Sequence, residues 1–411
     1  MTRFEVETAI TRLAREESGR VLALLARRFG DLDLADEAVQ DALVTAVRVW
    51  NESGVPDNPP AWLYAVARNA GIDRLRREKS ARRRLTDAAP DILLSAEAYE
   101  EPELVVEEMD VADDRLRLLL LCCHPALERD TQVALTLRLV GGLTTPEIAA
   151  AFLLPEATLA QRIVRAKRKI RQAGIPLTIP AALDERVDAL LGVLYLIFNE
   201  GYLSRGHSAT RVDLADEAIR LTVQARELLP GNAEVEGLLA LECFHRARHE
   251  SRTDGLGDLV LLEQQDRTTW DLPLIEKANG VLATAMGRMR PGTYQLQALI
   301  AAQHANARTA ADTDWSAIAA HYAQLVAMTG NPVVRLNHAV AVAMVDGPLA
   351  GLIIVDSIDG LDRYHLWHAT KAELLVRAGR TSEARKHFEA ALALTDNPAE
   401  RAHLSRRSAL S

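Results

Sequence analysis

The sequence predicts an all-α chain: two small helical modules, the second a helix-turn-helix, followed by a long α-solenoid-like extension. Three observations carry this. The 411 residues are rich in Ala and Leu and only 4% aromatic, a balance that favours helices over sheets. Apolar residues recur at spacings of three and four, with little strand-like alternation. The C-terminal half breaks into Ala/Leu-rich segments punctuated by Asn and Gly at separations near multiples of 33 residues. At 48% hydrophobic and 26% charged, the composition is that of a globular protein of two or three domains. The longest apolar run, residues 189–198, suits a buried helix or strand and falls short of the ~18–20 residues a membrane helix needs. The opening MTRFEVETAI carries acids and no apolar core, so a secretory signal is not expected. Cys122, Cys123 and Cys243 are odd in number and form no CxxC, which predicts a reducing, cytoplasmic location without disulfides.

The net charge of −9 at first sight argues against a nucleic-acid partner. It is unevenly distributed. Residues 1–90 carry +1, with eight basic residues between 66 and 84 against Asp73 and Glu78. Residues 91–114 hold ten acids and no Lys or Arg. Residues 115–175 carry +6, with six of their ten cations between Arg162 and Arg171, and residues 176–411 carry −6. A single charge run is commonly a solvated helix face. Two runs, each ending a helical segment, point toward phosphate contact. The expected boundaries are a first module over 1–88, an acidic linker over 89–112, a helix-turn-helix module over 113–175 and a helical extension over 176–411.

In the first module, Val6, Ile10, Leu13, Val21, Leu24, Leu25 and Phe29 predict one or two helices ending at Gly30. A further helix starts near Asp33, with Leu34, Ala38, Ala42, Ala46 and Val49 as its buried stripe and Glu37, Gln40, Asp41 and Val44 on the opposite face. NESGVPDNPP (51–60) reads as a loop. Pro60 then fits the first turn of a helix through AWLYAVARNAGIDRLRREK. Leu63, Ala67, Ala70 and Arg74 share one side of it, and cations crowd its C-terminal half. The helix dipole explains two or three of these cations, not all eight. DLADEAVQDALVTAVRVW followed by AWLYAVARNAGIDRLRRE resembles region 2 of bacterial RNA polymerase sigma factors of the extracytoplasmic-function type. The resemblance implies that Asp36, Glu37, Gln40 and Asp41 contact the β′ subunit of core polymerase. It also implies that Asn69, Asp73, Arg76 and Arg77 lie on or beside the surface that reads and opens the −10 element. Trp62 and Tyr64 offer faces for an unstacked base, although a core position suits Trp62 better.

In the second module, RLRLLLLCCHPAL and TQVALTLRLVGG precede LTTPEIAAAFLLPEATLAQRIVRAKRKIRQAG. Thr144 with Glu147 predicts a capping box and Pro146 a first turn. A short helix to Phe152, a break at Leu153–Leu154 and a restart at Pro155 give helix-turn-helix spacing. Leu159, Ile163, Ala166 and Ile170 form the buried stripe of the second helix. Opposite them stand Gln161, Arg165 and Arg168, side chains suited to base edges in a major groove. Arg162, Lys167, Lys169 and Arg171 flank these and suit phosphates. A helical pair with no DNA role is the alternative. The segment resembles sigma region 4, which makes Thr158, Gln161, Arg162, Arg165, Lys167 and Arg168 the expected −35 contacts. It departs from that pattern at Leu153, where a glycine is usual, and at Pro155, where Ser or Thr is usual. CCHP (122–125) reads as buried packing beside a helix end rather than a metal site.

The extension is expected to be an α-solenoid, with an irregular all-α domain as the alternative. ATKAELLVRAGRTSEARKHFEAALALTDNP (369–398) fits a tetratricopeptide unit, with Ala372, Leu375, Gly379, Ala384, Phe388 and Ala391 at its packing positions. Asn232, Asn331 and Asn397 each precede a helix, and His304, His321 and His338 are spaced by 17. His245/His249 and His365/His368 lack a third ligand or an HExxH pattern. Asn199-Glu200-Gly201-Tyr202 reads as a helix end with Gly201 in the cap. Asp266-Arg267 and Thr313-Asp314-Trp315 are polar–aromatic clusters without a nucleophile–base pairing. LYLIFNEGYLS, GLLALECFHRAR, LLEQQDRTTWD and LNHAVAVA resemble the tetratricopeptide-like extension of one sigma-factor subgroup, which implies regulation in cis.

The expected function is therefore promoter-specific transcription initiation, with core RNA polymerase and promoter DNA as partners. An unidentified protein or small molecule is expected on the extension. No enzyme activity, cofactor, metal or membrane association is expected. The alternatives are an autonomous helix-turn-helix regulator with a solenoid sensor and, last, an enzyme in the C-terminal half.

Overall fold

The computed structural model describes residues 3–86, 108–152, 154–179, 183–203, 209–252, 260–395 and 398–409. These are helical, with no strand among the described residues. They fall into two units, Met1–Gly201 and Tyr202–Ser411.

The first unit opens with α1 (Arg3–Phe29), one continuous helix stopped by Gly30, whose φ of 66° is a left-handed conformation that glycine adopts at little cost. Asp31 caps α2 (Leu32–Ser53), accepting from the amides of Asp33 and Leu34. The α2 stripe buries Leu34, Ala38, Ala42 and Ala46 and closes on Trp50. Val49 is only partly buried. Gly54 ends α2, and Asn58 accepts from the Ala61 amide at the start of α3 (Pro59–Thr86). Leu63, Ala67 and Gly71 are buried on α3's inner face, and Trp62 packs edge-on against Trp50 with centroids 5.2 Å apart. The three helices bury one apolar core.

The expected acidic linker lies mostly outside the described residues. Its last part is helical, because α4 (Glu108–Cys122) begins at Glu108. Next come α5 (Arg129–Leu135), a π-helical turn (Thr136–Val140), α6 (Thr145–Ala151) and α7 (Glu156–Gln172). The capping box forms as expected: Thr144 N donates to Glu147 at 2.7 Å and Glu147 N to Thr144 Oγ1 at 3.3 Å. Leu153 lies outside the described residues. Pro155 occupies the cap of α7 without a side-chain bond. In CCHP the two cysteines are buried as expected, His124 is partly buried and Pro125 is exposed, and the Gln132 side-chain amide donates to the carbonyls of Cys123, His124 and Leu127. Burial pushes the Cys123 thiol up to about 12. Finally α8 (Leu183–Leu203) packs on this module, with Arg129 Nη1 donating to Ala189 O at 3.0 Å and Arg186 Nη2 to Leu120 O at 2.6 Å. Gly201 is not its cap, contrary to expectation. The helix runs on to Leu203 and Gly201 is buried.

Helix α1 also packs against the second module, and two glycines set how closely. A β-carbon on Gly19 would meet Val140 O at 2.9 Å, and one on Gly142 would meet Ala14 O at 2.2 Å. Asp114, fully buried on α4, pairs with Arg27 of α1 at 3.1 Å and with Arg117 at 2.7 Å. Both modules thus share one interior.

The second unit is solenoid-like. Its helices are α9 (Ala209–Leu228), α10 (Ala233–Arg246), α11 (Leu272–Gly287), α12 (Thr293–Asn306), α13 (Trp315–Thr329), α14 (Pro332–Val345), α15 (Pro348–Asp356), α16 (His365–Arg377), α17 (Thr381–Leu394) and α18 (Pro398–Ala409). Neighbours in sequence pack against one another, and α10 packs on α12 as well as on α11. Asn232 and Asn331 cap α10 and α14 as expected, whereas Asn397 lies outside the described residues. Ala372, Leu375, Ala384, Phe388 and Ala391 form the core between α16 and α17, and Gly379 turns between them with φ 75°. The 17-residue histidine spacing places one His on each of α12, α13 and α14, the stagger from one helix to the next.

Candidate nucleic-acid interface

Two exposed helix faces in the first unit carry polar and cationic side chains. On α3, Asn69, Asp73, Arg76 and Arg77 form one solvent-facing strip. Arg68 donates to Asn69 Oδ1 at 3.2 Å, Arg76 lies 3.9 Å from Asp73, and Arg77 Nε donates to Asp73 O at 3.3 Å. These surface bonds are weak, so the groups are free to exchange partners.

On α7, Leu159, Ile163, Ala166 and Ile170 are buried, and the opposite side stays open. Thr158, Gln161, Arg165 and Arg168 are exposed, and Arg165 donates to Gln161 Oε1 at 3.2 Å. Arg162 is partly covered and reaches Asp130 at 3.4 Å. Thr158, Gln161, Arg162 and Arg165 line an open depression of about 380 Å³ together with Thr131 of α5 and with Leu127 and Glu128 just before that helix. Val164 is 64% exposed on the same helix, an apolar contact among polar ones.

Lys167 stands apart from these. It follows Ala166 of the buried stripe and therefore turns inward, where its ammonium bonds Asp36 and lies 3.6 Å from Asp33. Arg171 donates to Asp33 at 2.8 Å, and Arg138 comes within 4.0 Å of Asp36. Asp36 is accordingly only 8% exposed. The four α2 residues expected to act together therefore divide between two faces. Asp36 faces α7, while Glu37 and Asp41 point to solvent and pair with Arg74 of α3 at 2.8 and 3.6 Å. Gln40 lies at the boundary, partly buried, and Val44 beside Asp41 is 70% exposed.

Sequence reasoning missed Asp33, Arg138 and Arg171 as partners in this contact, because pairing across more than 100 residues leaves no local pattern. Gly19 was a readable signal. A glycine inside a helix costs roughly 1 kcal/mol, and close backbone approach is a reason to keep one.

Comparison with known families matches residues 13–81 to Sigma-70 region 2 and residues 117–170 to Sigma-70, region 4. The two matches cover both exposed helix faces. The chain belongs to the sigma-70 family. Residues 186–286 of this sigma factor match a third model, a family of unknown function termed DUF6596. An uncharacterized protein of Rhizobium meliloti, R00370, is 43% identical over 94% of this chain and 92% of its own length. A probable ECF RNA polymerase sigma factor of Mycobacterium tuberculosis, SigI, is 27% identical over 52% of this chain and 69% of that one. The ECF RNA polymerase sigma-E factor of Escherichia coli is 28% identical over 38% of this chain and 82% of that one. These relatives identify the extracytoplasmic-function type, here with a C-terminal helical extension. The crystal structure of yeast Tom70 covers 98% of this chain at a TM-score of 0.37 and 12% identity, a likeness too loose to carry weight. No described helix of the sigma factor is long and apolar enough to cross a membrane. No described cluster of His, Cys, Asp or Glu offers a metal site.

Proposed function

We propose that this sigma factor binds core RNA polymerase through α2, including its β′ subunit, and reads −10 and −35 promoter elements through α3 and α7. The carrying observation is the pair of exposed faces, each within a matched sigma region. Asn69, Asp73, Arg76 and Arg77 serve the −10 side, where cations track phosphates and polar groups hold separated bases. Gln161, Arg165 and Arg168 read base edges at the −35 side, and Thr158 and Arg162 hold the backbone. Glu37, Gln40, Asp41 and exposed Val44 form the polymerase contact. The work is binding, with no bond chemistry of its own, and takes place in the cytoplasm.

The two modules must part to do this. Elements named −35 and −10 lie roughly 25 base pairs apart, about 85 Å along B-DNA at 3.4 Å per base pair. In the closed arrangement Asp36 and Lys167 occupy one another. Opening frees Asp36 for polymerase and Lys167 for a phosphate. The extension regulates the factor in cis through a protein or small-molecule partner.

The test adds purified chain to core polymerase and a −35/−10 template. Start-site-specific transcripts are expected. DNA bound equally well without polymerase, and no specific initiation, favours the autonomous-regulator reading instead. The regulatory part is tested with a chain ending at Leu203, which keeps α8 on the module it packs against. Unchanged initiation and polymerase affinity would exclude regulation by the extension.

A further inference from the structure

Four motifs that promoter recognition leaves unused meet in the second unit. They are Tyr202 in the last turn of α8, the HRARHESR stretch that ends α10 and runs past it, Arg267 with Trp270, and His304 on α12. Arg252 lies over the Tyr202 ring, 3.6 Å from its centroid, and donates to Tyr202 O. Arg267 lies 4.5 Å from the Trp270 centroid and donates to His304 O at 2.6 Å and Ala307 O at 2.8 Å. Both guanidiniums thus bond carbonyls at helix C-termini, where the backbone dipole favours a cation.

Arg248 has no such explanation. It is 8% exposed. Its Nη2 donates to Tyr202 Oη at 3.2 Å and lies 2.9 Å from His245 Nδ1. Its Nε and Nη1 donate to no described residue, and no described carboxylate comes within ion-pair distance of Arg248 or Arg267. Asp312 acts on Arg267 only at longer range. The neighbouring histidines add no countercharge. Burial, reinforced by Arg248 and Arg252, holds His245 well below its usual range, and burial with Arg248 and Arg267 lowers His304 to about 4. His245 is therefore neutral and accepts from Arg248. The Arg248 guanidinium also lies 5.8 Å from the Trp270 centroid, so its contacts are with neutral groups. A buried cation without a countercharge is costly, and an anion supplied from outside offsets that cost through paired, charge-assisted hydrogen bonds.

We propose that Arg248, with Arg267 beside it, anchors a binding site for a small oxyanion, a phosphate or carboxylate group, in the extension. This rests on the second unit alone and does not depend on the polymerase reading. The full-length chain, freed of such anions in a chloride buffer, is titrated calorimetrically with inorganic phosphate in one arm and citrate in the other. Saturable binding in either arm is expected and assigns the class. Arg248→Gln is expected to weaken it at least about tenfold. In ligand-free buffer Arg248→Gln is expected to melt no lower than the parent, because it removes an uncompensated charge. If that variant does not fold, Arg248→Lys, which keeps the charge but loses the planar fork, carries the same affinity comparison. Absence of saturable binding in both arms, or equal affinity in the variant that folds, overturns the site.

Discussion

Glu242 shows how one side chain can work against the fold that holds it. It sits on α10, fully buried, and both of its carboxyl oxygens lack a hydrogen-bond partner. Thr222 beside it already donates to Ala218 O at 2.9 Å. Burial raises the Glu242 carboxyl well above its ordinary value, so folding favours its protonated form. The unfolded chain ionises near pH ~4.3. A folded pKa above the unfolded one means stability is lost as pH rises from the unfolded value toward the folded one. Glu242→Gln removes that loss. Its melting temperature should exceed the parent's at pH 7.5, with a gain of about 1–3 kcal/mol, and the two should converge near pH 4.5. Equal melting curves at both pH values would show that the acid is solvated. Nothing in the pattern of α10 marked this residue, because an acid in a helical stretch reads as surface until its neighbours are known.

Among elements, α7 matters most, since its opposite sides have different work. The exposed side, proposed here to read bases, was legible as a face: Gln161, Arg165 and Arg168 lie opposite the buried stripe, and the structure leaves all three exposed. The inward turn of Lys167 was not legible, because it depends on where Asp33 and Asp36 arrive from α2. The two faces predict different phenotypes in promoter binding by the polymerase complex. Arg165→Ala should weaken binding about 10–100-fold and relax preference at one −35 base pair. Lys167→Gln should weaken all sequences alike and lower the slope of log affinity against log salt by about one. Affinities measured on matched and altered −35 sites at several salt concentrations distinguish them. A uniform loss for Arg165→Ala would remove it from base readout.

At the scale of the whole molecule, the two modules lie together in one compact unit, and the proposed reading of −10 and −35 elements requires them to part. Dyes at Ser53→Cys and Ala173→Cys, both exposed positions, report this separation, since the three native cysteines are buried. Energy transfer should be high in the free chain and fall when the polymerase–promoter complex forms. Unchanged transfer would mean that both elements are not read at once. The sequence by itself determined the helices, most of their caps and buried stripes, the two cationic segments and the α16–α17 hairpin. Each of these is set by side chains three or four residues apart, which a helix brings together whatever else the chain does. Only the tertiary structure decided that α1 fits against the second module at Gly19 and Gly142, that Asp36 meets Lys167, and that Arg248 lies buried among the scattered motifs of the extension. Those contacts join residues far apart in the chain, so they depend on how whole helices pack and on which charges are carried out of water together.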